Sequence, residues 1–232
     1  MGRIVAISGG ELEDIKPIKN FGLSLIGTDS RNVLIVGAAS CDSDDDVGAI
    51  SEIFYQLGCC VRRLELVKKS CTEEEISSLV SWADVIYISG GDTIFMMEVW
   101  KKYGFDALLK EVYEKDSAVL MGISAGAICW FDCGCTDSRR AASHPGLRYG
   151  WANEMLGLYH YAFCPHYATR VSDFEVLMKE KNVIGLALED NTAFAEVNGK
   201  ISFIKSKESA KAYTAGYENG TFIRREIELT LI

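Results

Sequence analysis

Short, almost uninterrupted apolar runs recur along the chain, each closing on small or turn-forming residues: RIVAIS, NVLIVGAA, CCVRRLEL, ADVIYISGG and SAVLMGIS. Between them the apolar positions fall into a helical period. In DDDVGAISEIFYQLG, Val47, Ile50, Ile53, Phe54 and Leu57 share one face, with acids at the start and Gly58 at the stop. Continuous apolar strands alternating with amphipathic helices predict a mainly parallel sheet covered on both faces, the doubly wound α/β class. Beyond residue 180 the pattern changes. TAFAEV-NG-KISFI sets Asn198-Gly199 between two strand-like runs, which is the signature of a type I′ hairpin, and ENGTF at 218–222 is a second candidate. The expected architecture is therefore a doubly wound, mainly parallel sheet with a C-terminal β-hairpin extension.

Composition narrows the picture. With 232 residues, 48% of them apolar, the chain can fill one large core, and no linker, repeat or low-complexity tract divides it, so a single domain over 1–232 is expected. A net charge of −9 repels nucleic-acid backbones and anionic lipid, and no run approaches the roughly 20 apolar residues that span a bilayer. MGRIVAISGG reads as a first strand rather than an export signal, which points to a cytoplasmic protein whose eight cysteines are reduced, mostly buried thiols. Neither the Cys pair at 59 nor CGC at 133 has zinc-site spacing. The acidic run CDSDDDVGAISE alternates Asp42, Asp44 and Asp46 as a calcium loop does, but Val47 stands where the turn glycine is needed and Ile53 where the bidentate glutamate is needed. Those acids read instead as a helix start, and neither metal nor cofactor is expected.

Candidate chemistry gathers at the ends of the predicted strands. Gly122-Ile-Ser124-Ala-Gly126 matches G-x-S-x-G between a buried strand and an apolar helical stretch, the context in which a strained turn projects a nucleophilic hydroxyl. The amide of Ala125 then faces the developing oxyanion. Small residues at such a turn also serve close packing alone. In SGGDT, Gly90 and Gly91 free backbone N–H groups to face an anion, although a glycine turn into a helix has the same composition. A serine nucleophile needs a base, and the chain has three histidines. His144 lies in a turn signal, SHPG, and His160 on a predicted strand, LYHYAF. His166 follows a strand-like run and precedes the helical TRVSDFEVLMKE, and so occupies the same kind of loop as Ser124.

The SAGA elbow, the GGD loop, PHY with an arginine four residues beyond the histidine, and GLALEDNTAF together resemble the serine peptidase family of dipeptidase E and cyanophycinase. The resemblance runs from NVLIVGAAS to the Asn-Gly hairpin. It implies a class I glutamine amidotransferase-like fold with serine where those enzymes carry cysteine. Ser124 would then be the nucleophile, His166 the general base, and the amides of Gly91 and Ala125 the oxyanion hole. Glu189 is the expected acid, with its neighbour Asp190 and the earlier Asp137 as alternatives. Arg170 would grip an acidic side chain beside the scissile bond. The implied activity is hydrolysis of Asp-X dipeptides or β-aspartyl linkages in a small acidic peptide, and the oligomeric state is left open. The competing readings are an α/β-hydrolase-type esterase and a non-catalytic protein binding an acidic metabolite or partner. The esterase fits poorly, because that family places its histidine last, after the acid.

Overall fold

The structure, a computed structural model, describes residues 2–138 and 146–232. The first half alternates as expected: β1 (Arg3–Ile7), α1 (Lys16–Ser24), β2 (Asn32–Val36), α2 (Asp44–Gln56), β3 (Cys60–Leu64), α3 (Glu73–Trp82), β4 (Val85–Ile88), α4 (Thr93–Tyr103), α5 (Phe105–Lys115) and β5 (Val119–Ile123). A one-turn helix α6 (Ala125–Ile128) leads to β6 (Phe131–Thr136), β7 (Gly150–Asn153), β8 (Tyr159–Cys164) and α7 (Val171–Met178). The chain closes with β9 (Ile184–Leu188), β10 (Thr192–Val197), β11 (Lys200–Lys205), β12 (Ala212–Glu218), β13 (Thr221–Glu226) and β14 (Thr230–Leu231).

Two sheets form rather than one. The first has the order β14-β11-β10-β1-β5-β4-β2-β3, and β1, β5, β4, β2 and β3 run parallel. The period of two sends alternate residues to opposite faces. Val5, Ile7, Val33, Ile35, Val85 and Tyr87 pack beneath α1 and α2, while Ile4, Ala6, Leu34, Val36, Ile86 and Ile88 pack toward α3, α4 and α5. Both faces are dry, which is why these strands read as unbroken apolar runs.

A second sheet, β13-β12-β9-β8-β6-β7, lies on the α3–α5 side, and its outer face is covered by α7 through Phe174, Leu177 and Met178. Its inner face shares one apolar layer with the first sheet. There Phe131 of β6 stacks on Phe163 of β8 at 4.4 Å and meets Phe194 of β10 edge-on at 5.4 Å. Asn198-Gly199 and Asn219-Gly220 are the two predicted hairpin turns, with φ of 52° and 79°, and of 50° and 80°. They extend different sheets: β10–β11 lengthens the first beside β1, and β12–β13 the second beside β9.

The acidic run starts α2, but its cap is Ser43, whose hydroxyl accepts from the Asp46 amide at 3.3 Å. Asp42 instead reaches back to the Val67 and Lys68 amides, at 2.7 and 3.1 Å, and Asp44 pairs with Lys68 at 2.7 Å.

Candidate active site

Ser124 sits just beyond β5 with φ 53° and ψ −111°, a conformation that costs a non-glycine residue about 1–3 kcal/mol. The surroundings hold it there. Its amide donates to the Ile7 carbonyl at 3.0 Å, and its carbonyl accepts from Ala127 and Ile128, both at 3.0 Å. A side chain on Gly122 would run into the Gly126 carbonyl, and one on Gly126 into the Ile88 carbonyl. Both glycines of G-x-S-x-G are thus demanded by close packing, and it is this packing that forces the turn and presents Oγ.

His166 follows β8 in a left-handed conformation with φ 52°. Its Nε2 lies 3.0 Å from Ser124 Oγ, and its Nδ1 lies 2.6 Å from Asp190 Oδ1. With Nδ1–H donating to the ionised Asp190, Nε2 is left to accept from the serine hydroxyl. The hydrogen bond from His166 holds the Asp190 carboxyl below its ordinary range, aided by the charges of His166 and Arg170 and opposed by partial burial.

The carboxylate on the histidine is therefore Asp190 and not the expected Glu189. The Glu189 side chain turns the other way and accepts from the Lys211 amide at 3.1 Å. Asn191, with φ 67°, reverses the chain immediately after Asp190, so two neighbouring acids diverge. Asp137 is exposed at the end of β6, and His160 pairs with Asp132 at 3.3 Å, also exposed. His144 lies outside the described residues.

Gly91 has φ 138°, and a side chain there would strike the Ala39 carbonyl. Its loop is pinned by the Asp92 amide donating to Ala39 at 2.8 Å, while the Asp92 carboxylate caps α4 through the Ile94 and Phe95 amides, both at 3.0 Å. A Cβ placed on Gly90 would lie 3.4 Å from Ser124 Cβ, so this loop borders the serine. Among the described residues no acceptor faces the amides of Gly91 or Ala125. A cleft of about 490 Å³ opens beside Gly90 and Gly91, walled by Leu12, Ala49 and Ile50 with Ser40, Asp46 and Ser89. That is room for a side chain of a bound peptide.

Arg170 departs from expectation in its setting. The helix starts at Val171, two residues beyond the Thr169 at which the helical run begins in the sequence, and Arg170 is only 5% exposed. Its Nη1 donates to the Cys135 carbonyl, its guanidinium covers the Tyr149 ring at 4.6 Å, and its Nε has no partner among the described residues. It is a buried, anchored charge next to Asp190 rather than an open fork.

Two residues of the site escape a sequence reading altogether. The Ser8 hydroxyl accepts from the His166 amide at 2.9 Å, and a side chain on Gly9 would collide with the His166 ring and with Asp190. The available signal was the Ser-Gly-Gly that ends the first apolar run.

Comparison with known proteins shows the family and the fold. The family model of peptidase family S51 matches residues 4–204. The uncharacterized peptidase YgaJ of Bacillus subtilis strain 168 is 32% identical over 221 residues, covering 92% of this chain and 91% of that protein. Among solved structures, a peptidase from an acI-B1 Actinobacterium aligns with a TM-score of 0.71 at 16% identity, over 100% of this chain and 95% of its own. A candidate peptidase E from Listeria monocytogenes EGD-e aligns with a TM-score of 0.66 at 18% identity, over 88% of this chain and 98% of its own. At those identities the two structures speak for the fold.

Proposed function

The chain belongs to peptidase family S51, and from that membership we propose that it hydrolyses peptide bonds next to aspartate, in Asp-X dipeptides or β-aspartyl linkages, through an acyl-enzyme on Ser124. The observation that carries the mechanism is the unbroken contact from Ser124 Oγ to His166 Nε2 at 3.0 Å and from His166 Nδ1 to Asp190 at 2.6 Å. Their order along the chain, serine, histidine, acid, differs from that of an α/β-hydrolase esterase.

In this reading Ser124 Oγ attacks the carbonyl carbon while His166 Nε2 takes the hydroxyl proton. Asp190 orients the ring and stabilises the imidazolium that forms. The amides of Gly91 and Ala125 donate to the oxyanion as the carbonyl becomes tetrahedral. Collapse breaks the C–N bond, and His166 returns the proton to the leaving amine. Water, deprotonated by the same nitrogen, then opens the ester, freeing the acid and restoring the serine.

Preference for an acidic residue rests on Arg170. Buried as it is, it acts through its field on a carboxylate bound nearby rather than by a two-pronged grip. A panel of X-Leu dipeptides with products identified by mass tests both parts. Asp-Leu is expected to turn over well ahead of Asn-Leu, and Ser124→Ala to abolish turnover while keeping the fold. Arg170→Met should shrink the Asp-over-Asn ratio roughly tenfold, equivalent to about 1.4 kcal/mol. Full activity in Ser124→Ala would remove the acyl-enzyme, and an unchanged ratio in Arg170→Met would move selectivity elsewhere.

A further inference from the structure

Ser124, His166 and Asp190 come from three separate segments, and each segment is tied to one tripeptide at the end of β1. The Ile7 carbonyl accepts from the Ser124 amide at 3.0 Å, and the Ser8 hydroxyl accepts from the His166 amide at 2.9 Å. The Gly9 carbonyl accepts from the amide of Asn191, the residue after Asp190, at 2.8 Å. Resting on the catalytic reading above, we propose that Ile7-Ser8-Gly9 is the template that spaces the three groups, and that Ser8 is a positioning residue for the general base.

Ser8 is suited to the role in ways a generic strand end is not. It is fully buried, its amide is spent on the Thr192 carbonyl at 2.9 Å, and its hydroxyl donates to the Leu188 carbonyl at 2.7 Å. That donation fixes the hydroxyl rotor, so its lone pairs stay aimed at His166. The bond joins β1 of the first sheet, β9 of the second and the loop bearing the histidine. His166 needs such a tether because its left-handed backbone is uphill for a residue with a side chain. Gly9 completes the cradle: the space a Cβ would take is filled by the imidazole and the Asp190 carboxylate, so the ring is held by shape on that side and by the Ser8 bond through its backbone.

The test is Ser8→Ala, with Ser8→Thr as the variant that keeps the hydroxyl. Three readings are taken: kcat and KM on Asp-Leu, the rate at which a fluorophosphonate labels Ser124, and hydrogen exchange of the His166 amide by NMR. Ser8→Ala should lower kcat about 10- to 100-fold with KM within about twofold, slow labelling in parallel, and speed exchange at His166 by at least tenfold, with Thr restoring much of each. A fall confined to KM, or a freed His166 amide with unchanged kcat and labelling, would overturn the positioning role. Unaltered exchange in Ser8→Ala would overturn the tether itself, whatever the activity. If wild type neither cleaves peptides nor takes the probe, the catalytic reading fails, while the exchange arm still decides whether Ser8 holds His166.

Discussion

Both ring nitrogens of His166 are engaged, and the two acids beside it make an internal comparison. Asp190→Asn keeps the shape but offers Nδ1 an amide, which permits the wrong tautomer; kcat is expected to fall about 10²- to 10⁴-fold. Glu189→Gln, at a side chain that accepts from the Lys211 amide and faces away from His166, should stay within about threefold of wild type in the same steady-state assay. The reverse ranking would restore Glu189 as the acid. Because the Asp190 carboxyl is held low, the sign of its contribution to stability is set: present above the usual carboxylate value of about 3.9, and lost as pH falls through its depressed value. Ser124 and His166 were legible from sequence, since G-x-S-x-G between strand and helix is a local pattern and His166 lies at a strand end. The choice between Glu189 and Asp190 was not. It depends on the left-handed turn at Asn191, where the chain leaves β9 for β10 in the other sheet, and adjacent letters carry no sign of which way each side chain then faces. Ser8 and Gly9 were hidden for a related reason: their partners lie more than 150 positions away.

At the scale of the element, α1 carries a lysine where its face demands an apolar residue. Lys19 is fully buried, packs over Phe54 and Tyr87 at 5.9 and 5.7 Å, and its Nζ has no hydrogen-bond partner among the described residues. Burial lowers its pKa to about 8, against a smaller opposing pull from Glu13. The sign follows from proton counting. Below pH 8 both folded and unfolded chains carry the proton, and the folded state bears the full cost of a buried charge. Between pH 8 and about 10.5 the folded chain releases the proton while the unfolded chain keeps it, so stability rises with pH by about 1–3 kcal/mol. Lys19→Met should stabilise the protein by a similar amount at pH 7 and flatten that slope, as measured by urea unfolding across the range. A loss of stability at pH 7 would mean that the ring contacts outweigh the cost of burial. Elements such as α2 and the two Asn-Gly hairpins were legible because their signals are local: a helical period with its stop, and a dipeptide that accepts positive φ at both positions. The start of α7 was not, because a short 3₁₀ turn over Tyr167–Thr169 precedes it and leaves Arg170 buried just ahead of the helix instead of within it.

For the whole molecule, the parallel core was visible in its unbroken apolar strands, but the second sheet was not. FDCGCT and GWAN lack a strong strand pattern, and β6 pairs in parallel with β8, more than 20 positions further along the chain, with β7 lying between them in sequence. Since Phe131, Phe163 and Phe194 join the two sheets in one layer, we propose that the chain unfolds as a single unit. Calorimetry should show one transition, and Phe131→Ala should cost about 3–5 kcal/mol without splitting it. Two resolved transitions would indicate separable halves. The position of β1 has a consequence during biosynthesis. Its end waits for partners that emerge from the ribosome in order: Ser124 first, His166 next, and Asp190 with β10 last. A nascent chain therefore exposes its serine well before the histidine and the acid proposed to act on it have been made, and on that reading the hydroxyl stays unactivated beside other unfolded chains until β10 has emerged and paired with β1.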